Sequence, residues 1–175
     1  MKIKIQLLFF AFLIISCPYK ESFGQFNVGA SLGGGVITLS PISQGSLNTS
    51  IFLDFQLKES YSARLNFIYN ADYEAFLPNK TVAYAPFVKG VTLKAIINPS
   101  LSETFYLEEG LGLSALNERV FSDHNDWDFG VVFSLAIARP IYENFDLAAG
   151  AEYNLTMTGT AVKYFSLFLQ GKYSF

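Results

Sequence analysis

Few residues in this chain could do chemistry. His124 is the sole histidine, set in Ser122-Asp123-His124-Asn125-Asp126. A serine activated by a histidine, with a carboxylate orienting the base, is the constellation of acyl transfer and hydrolysis. Triad members meet through a fold rather than through proximity in sequence, and this segment has the polar composition of a loop, so His124 reads as a solvated loop histidine. Asp123, Asp126 and Asp128 offer carboxylates of the kind that bind Ca²⁺, but the glycine and terminal glutamate of an EF-hand loop are missing. They read as a charged, solvent-facing loop. Gly33-Gly34-Gly35 lacks the Lys-Ser/Thr of a phosphate loop and no helix follows it, so it reads as a strand end. One cysteine, Cys17, makes no intramolecular disulfide, and one histidine makes no histidine metal cluster. The expectation is no catalytic, cofactor or metal site.

The elements that must position such residues are set by composition. Of 175 residues, 51% are hydrophobic, 17% aromatic and only 15% charged, with Lys+Arg 12 against Asp+Glu 15 for a formal charge of −3. A disordered chain would be polar and poor in aromatics, and a nucleic-acid binder would be basic. A water-soluble surface usually carries about 25–35% charged residues. Something other than water must face part of this protein.

Met1-Lys2-Ile3-Lys4 followed by the apolar run Ile5 to Ile15, broken only by Gln6, reads as a signal peptide. It is too short for a transmembrane helix, which needs about 20 residues. Ser22-Phe23-Gly24 supplies small residues for cleavage before Gln25, giving a signal peptide over 1–24 and one domain over 25–175. The alternative is lipidation of Cys17 in the lipobox-like Ile14-Ile15-Ser16-Cys17. Cleavage at Gln25 leaves 9 basic and 14 acidic residues, a net −5, and no cysteine.

From Gln25 onward the pattern is period-two alternation, the signature of strands. Eight segments of about ten residues follow, the length of a tilted strand crossing a bilayer. They start near Phe26, Ser50, Tyr61, Phe87, Phe105, Trp127, Phe145 and Tyr164. Connections at Lys58–Ser60, Asn98–Thr104 and Pro140–Asn144 are short. Those at Ser40–Thr49, Asn70–Tyr84 and Leu116–Asp126 are longer, with a shorter one at Thr158–Lys163. With both termini on one side, short turns fall on that side and the longer loops opposite, the asymmetry of membrane barrels.

Three observations turn the apolar face outward. The other face is rich in Gly, Ser, Ala, Thr and Asn, which suits the cramped lumen of an eight-stranded barrel. On the apolar face, Phe26, Tyr61, Phe105, Phe145, Tyr173 and Phe175 cluster at the short-turn ends. Phe67, Tyr69, Phe87, Trp127, Phe129 and Tyr153 cluster at the loop ends, giving two belts around an aliphatic band. Finally, charges on the lumen face pair across hairpins. Folding about Glu59 puts Asp54 opposite Arg64, folding about Leu101 puts Lys94 opposite Glu108, and Asp146 and Lys172 share one level of neighbouring strands. Glu109 disagrees, falling on the lipid face between Leu107 and Leu111; a bulge, protonation or a protein neighbour would each account for it.

The chain resembles the small outer-membrane β-barrels of Gram-negative bacteria, the porin-family and OmpA/OmpX-type barrels, over essentially all of its length after Gln25. The most specific match is the terminal segment from Phe165 to Phe175, whose alternation ends in Tyr173-Ser174-Phe175 with Gly171 before it. It looks like the terminal strand signal read by the barrel assembly machinery. Tyr106 to Ser114 looks like the family's glycine-spaced central strand. The resemblance implies an all-β, eight-stranded, up-and-down transmembrane barrel integral to the outer membrane. It implies as partners outer-membrane lipid, lipopolysaccharide and the assembly machinery, and no activity by itself. Phe52, Ile68, Tyr106, Tyr164 and Phe168 point inward with the charged residues, which predicts a plugged lumen and a structural or interaction role through loops carrying Tyr73, Phe76, Leu77 and Phe121. The alternatives are a passive small-solute channel, a lipid-modifying enzyme using His124, and a soluble periplasmic ligand-binding barrel.

Overall fold

The computed structural model describes residues 25–39, 42–76, 87–119, 126–158 and 162–175. The expected signal peptide over 1–24 with Cys17, and Leu77, Phe121, Ser122, Asp123 and His124, lie outside them. The alternating segments form β1 (Phe26–Leu39), β2 (Ile42–Lys58), β3 (Tyr61–Asp72), β4 (Phe87–Ile97), β5 (Tyr106–Arg119), β6 (Asp126–Tyr142), β7 (Phe145–Thr156) and β8 (Lys163–Ser174). A 3₁₀ turn, Tyr73–Phe76, follows β3. Each strand pairs antiparallel with the next, and β8 pairs with β1 to close the barrel.

A circuit of the ladders that leaves β3 at Tyr61 returns to it at Ala71, ten residues along. With a rise of about 3.3 Å per residue and about 4.8 Å between strands, a shear of ten over eight strands tilts each strand by about 40°. That tilt is in the range of outer-membrane barrels.

The apolar face is outside. Leu169, Ile51 and Leu113 expose 69%, 62% and 61% of their surface, whereas inward-facing Phe52 exposes 1%. The remaining outward positions of the middle band are largely Leu, Ile, Val and Phe, a continuous apolar surface far beyond what a soluble monomer presents. A soluble ligand-binding barrel would need the opposite arrangement, an oily cavity in a polar coat, and this geometry overturns that alternative.

Several strands run past their expected ends, β3 to Asp72, β5 to Arg119 and β6 to Tyr142, and two connections differ more. Ser40–Thr49 reads as a loop because Pro41, Gly45 and the Ser/Asn residues favour turns. Instead β2 begins at Ile42, and its ladder with β1 runs from Leu39↔Ile42 downward. Backbone pairing continues past the apolar band because a hairpin satisfies its N–H and C=O groups whatever its side chains. The β4–β5 hairpin folds about Glu103, two residues past Leu101. There the Ser102 hydroxyl accepts the N–H groups of Thr104 and Phe105 at 3.3 and 3.2 Å, and Ser100 bridges to Tyr106.

Candidate functional site

The lumen concentrates the chain's polar chemistry. Asp54 faces Arg64 directly across the β2–β3 ladder. The guanidinium grips that carboxylate in bidentate fashion, Nε–Oδ1 at 2.6 Å and Nη2–Oδ2 at 2.7 Å, the geometry that gives Arg–carboxylate pairs their specificity. Nη2 also donates to Glu108 Oε2 on β5 at 3.0 Å, and Nη1 donates to Gln170 Oε1 on β8 at 2.9 Å. The Phe52 ring lies 4.2 Å from the guanidinium carbon, a cation–π platform.

Glu108 ties this centre to a second cation. Its Oε1 accepts from Lys172 Nζ at 2.8 Å, and its Oε2 accepts from Gln170 Nε2 at 2.8 Å. Lys172 further donates to the Tyr106 hydroxyl at 2.9 Å and lies 3.3 Å from Asp146, its direct partner on β7. Tyr106 in turn donates to Asp146 at 2.6 Å.

Lys94 does not meet Glu108. With the hairpin centred on Glu103, Lys94 stands opposite Gly112. A Cβ added at Gly110 would run into Ser134 Oγ and Ile96 Cδ1, so the missing side chain keeps the lumen open beside Lys94. Its Nζ reaches Glu152 Oε2 at 2.6 Å, and the other oxygen of Glu152 accepts from Tyr164 at 2.6 Å. Tyr106, Glu152, Tyr164 and Gln170 are participants that hairpin pairing cannot find. The one signal was Glu152 itself, a lumen carboxylate flanked on both sides by serine, Ser134 and Ser166, which must look across the barrel for a cation.

Apolar side chains pack on either side of this network along the lumen. Ile37, Ile68, Val88, Leu116, Val162 and Tyr164 pack together at the loop end. Ala136, Ala138 and Ala148 pack with Tyr106 and Phe168 toward the turn end. A void between them, lined by Ser31, Asn66, Lys94, Glu152 and Gln170 among others, measures about 10 Å³, room for about one water. Small residues make this filling fit: a Cβ at Gly29 would run into the Phe52 ring and the Gly171 carbonyl.

The outer wall, the tilt and the polar lumen together define the fold class. It is the fold of the small outer-membrane β-barrels. Among solved structures the barrel is similar to Neisserial surface protein A, with a TM-score of 0.72 and 16% identity over 86% of this chain and 97% of that one. It is also similar to Ail, the attachment invasion locus protein of Yersinia pestis, with a TM-score of 0.60 and 12% identity over 88% and 100%. The N-terminal barrel domain of Pseudomonas aeruginosa OprF gives 0.55 and 15% over 87% and 99%. No family model matches the sequence, and no curated protein does.

Asp128 and Glu118 sit inside the barrel at its loop end, both buried. Thr158 donates to Asp128 at 3.0 Å and caps the Phe129 N–H at 2.8 Å. Asp126 is exposed at the start of β6. No group of three or more His, Cys, Asp or Glu able to hold a metal ion occurs among the described residues. Gly171, Tyr173 and Phe175 lie at the turn end, where Tyr173 and Phe175 stack edge to face at 5.1 Å.

Proposed function

We propose that this outer-membrane barrel is a non-conducting, non-enzymatic scaffold with a structural or interaction role carried by its loops. The observation that carries the reading is the bonded network joining β2, β3, β5, β7 and β8 through Arg64, Glu108 and Lys172 across the lumen. A solute moving through would have to break it, leaving buried charges without partners. The loop side offers contact residues instead: Tyr73 and Phe76 are exposed on the 3₁₀ turn after β3, and exposed apolar residues on loops commonly meet partners. On this reading the partners are lipopolysaccharide, the assembly machinery that would read the β8 strand, and a ligand of the loops.

Purified barrel inserted into planar bilayers tests this. Absence of current steps is the expected result, and a stable, reproducible conductance supports the small-solute channel instead. A lipid profile that changes on expression and reverts in His124→Ala would overturn the non-enzymatic part.

A further inference from the structure

Glu109 sits on the outer wall, exposed, in a ladder that is regular on both sides, opposite Ile97 of β4 and Leu135 of β6. No bulge turns it away. It has no hydrogen bond or ion pair among the described residues. A carboxylate facing hydrocarbon is costly at the midplane and less so toward the interface. Glu109 is two strand steps from Tyr61 of the turn-end belt, about 6 Å inside it along the membrane normal for this tilt.

Beside Glu109 the wall is hollow. Ala95 and Ala151 bring little side chain to the surface there, and Leu111, Phe133, Tyr153 and Phe165 stand around a groove of about 520 Å³. The groove starts at Glu109 and climbs diagonally toward the loop side. On the turn side, Arg139 is the outward-facing residue four places past Leu135 on β6. Its guanidinium carbon lies 5.6 Å from the centre of the Phe105 ring. The wall therefore offers an apolar trough, an unpaired carboxylate at its foot, and a guanidinium nearer the interface. A guanidinium suits a phosphate, and the carboxylate calls for a cation.

We propose that this wall binds a phospholipid whose headgroup carries a primary ammonium. One acyl chain lies in the trough, the phosphate faces Arg139 on the interface side, and the headgroup turns back so that its ammonium donates to Glu109. The lipid is drawn from the leaflet on the short-turn side, since that is the end at which both charged groups lie. The site depends on the lipid-facing wall alone and stands whatever the loops bind.

The test uses the full mature protein in micelles supplied with equal phosphatidylethanolamine, phosphatidylglycerol and phosphatidylcholine, with retained lipids counted by native mass spectrometry. One phosphatidylethanolamine per barrel should be held about fivefold over either competitor. Glu109→Gln should erase the headgroup preference while the barrel keeps its heat-modifiable gel shift. Ala151→Phe, which fills the trough and leaves Glu109 in place, should lower retention of all three lipids. Equal retention by the unaltered protein, or an unchanged preference in Glu109→Gln, would overturn the site. So would a dimer mass that disappears in Glu109→Gln, because a second copy would then be the occupant.

Discussion

At the turn end of the lumen, Asp54, Arg64, Glu108, Asp146 and Lys172 each touch an opposite charge, and Gln170 and Tyr106 fill remaining donor and acceptor positions. At the loop end, Glu118 and Asp128 are equally buried, yet Glu118 Oε2 and Asp128 Oδ2 have no hydrogen-bond partner among the described residues. One end is fastened by matched charges; the other gathers carboxylates. Natural sequences break their local rules most often where function is placed. The contrast directs attention to the mouth between the long loops, with the turn end serving as its anchor.

The largest effect expected from breaking the anchor is at Arg64. Arg64→Ala strands the buried carboxylate of Asp54 and takes one of three donors from Glu108, and should cost about 3–5 kcal/mol in urea unfolding of the micelle-bound barrel. A loss below about 1 kcal/mol would mean that the network is solvated and the contrast unreal. Next comes Lys94→Met, expected to cost about 2–3 kcal/mol, since Glu152 keeps its bond from Tyr164. Adding Glu152→Gln should recover most of that loss, and simple additivity of the two changes would refute the pairing.

Gly29→Val probes packing without charge. Its Cβ meets Phe52, the platform under Arg64, and the expected cost is about 1–3 kcal/mol, partly relieved by Phe52→Leu. The smallest effect belongs to the other end. Glu118→Gln should change stability by less than about 1 kcal/mol, because the amide keeps the size and polarity of a buried side chain that already lacks a full set of partners. A clear destabilisation there would show that the mouth is charge-balanced after all.

Much of this was legible in the sequence because strand alternation states face directly. Asp54 and Arg64 could be placed opposite each other from a three-residue turn whose centre, Glu59, leaves little choice. The β4–β5 turn is longer, and its centre depends on how Ser102 bonds Thr104 and Phe105, so a two-residue error there moved Lys94 from Glu108 to Gly112. Contacts between strands that are not neighbours, such as Lys94 with Glu152, follow from the shear of the closed barrel. No single hairpin carries that number. The Ser40–Thr49 region misled because turn propensity describes residues in isolation, whereas a strand already paired on one side extends its neighbour.

The β1–β8 ladder, from Asn27↔Ser174 to Thr38↔Lys163, makes neighbours of the strand synthesised first and the strand synthesised eighth. Until the eighth arrives, the curved sheet has two bare rims, each a row of amides with nothing to bond in hydrocarbon. Insertion strand by strand into lipid would therefore be uphill at every step but the final one. The wall must be held, or its rims shielded, until it can seal all at once.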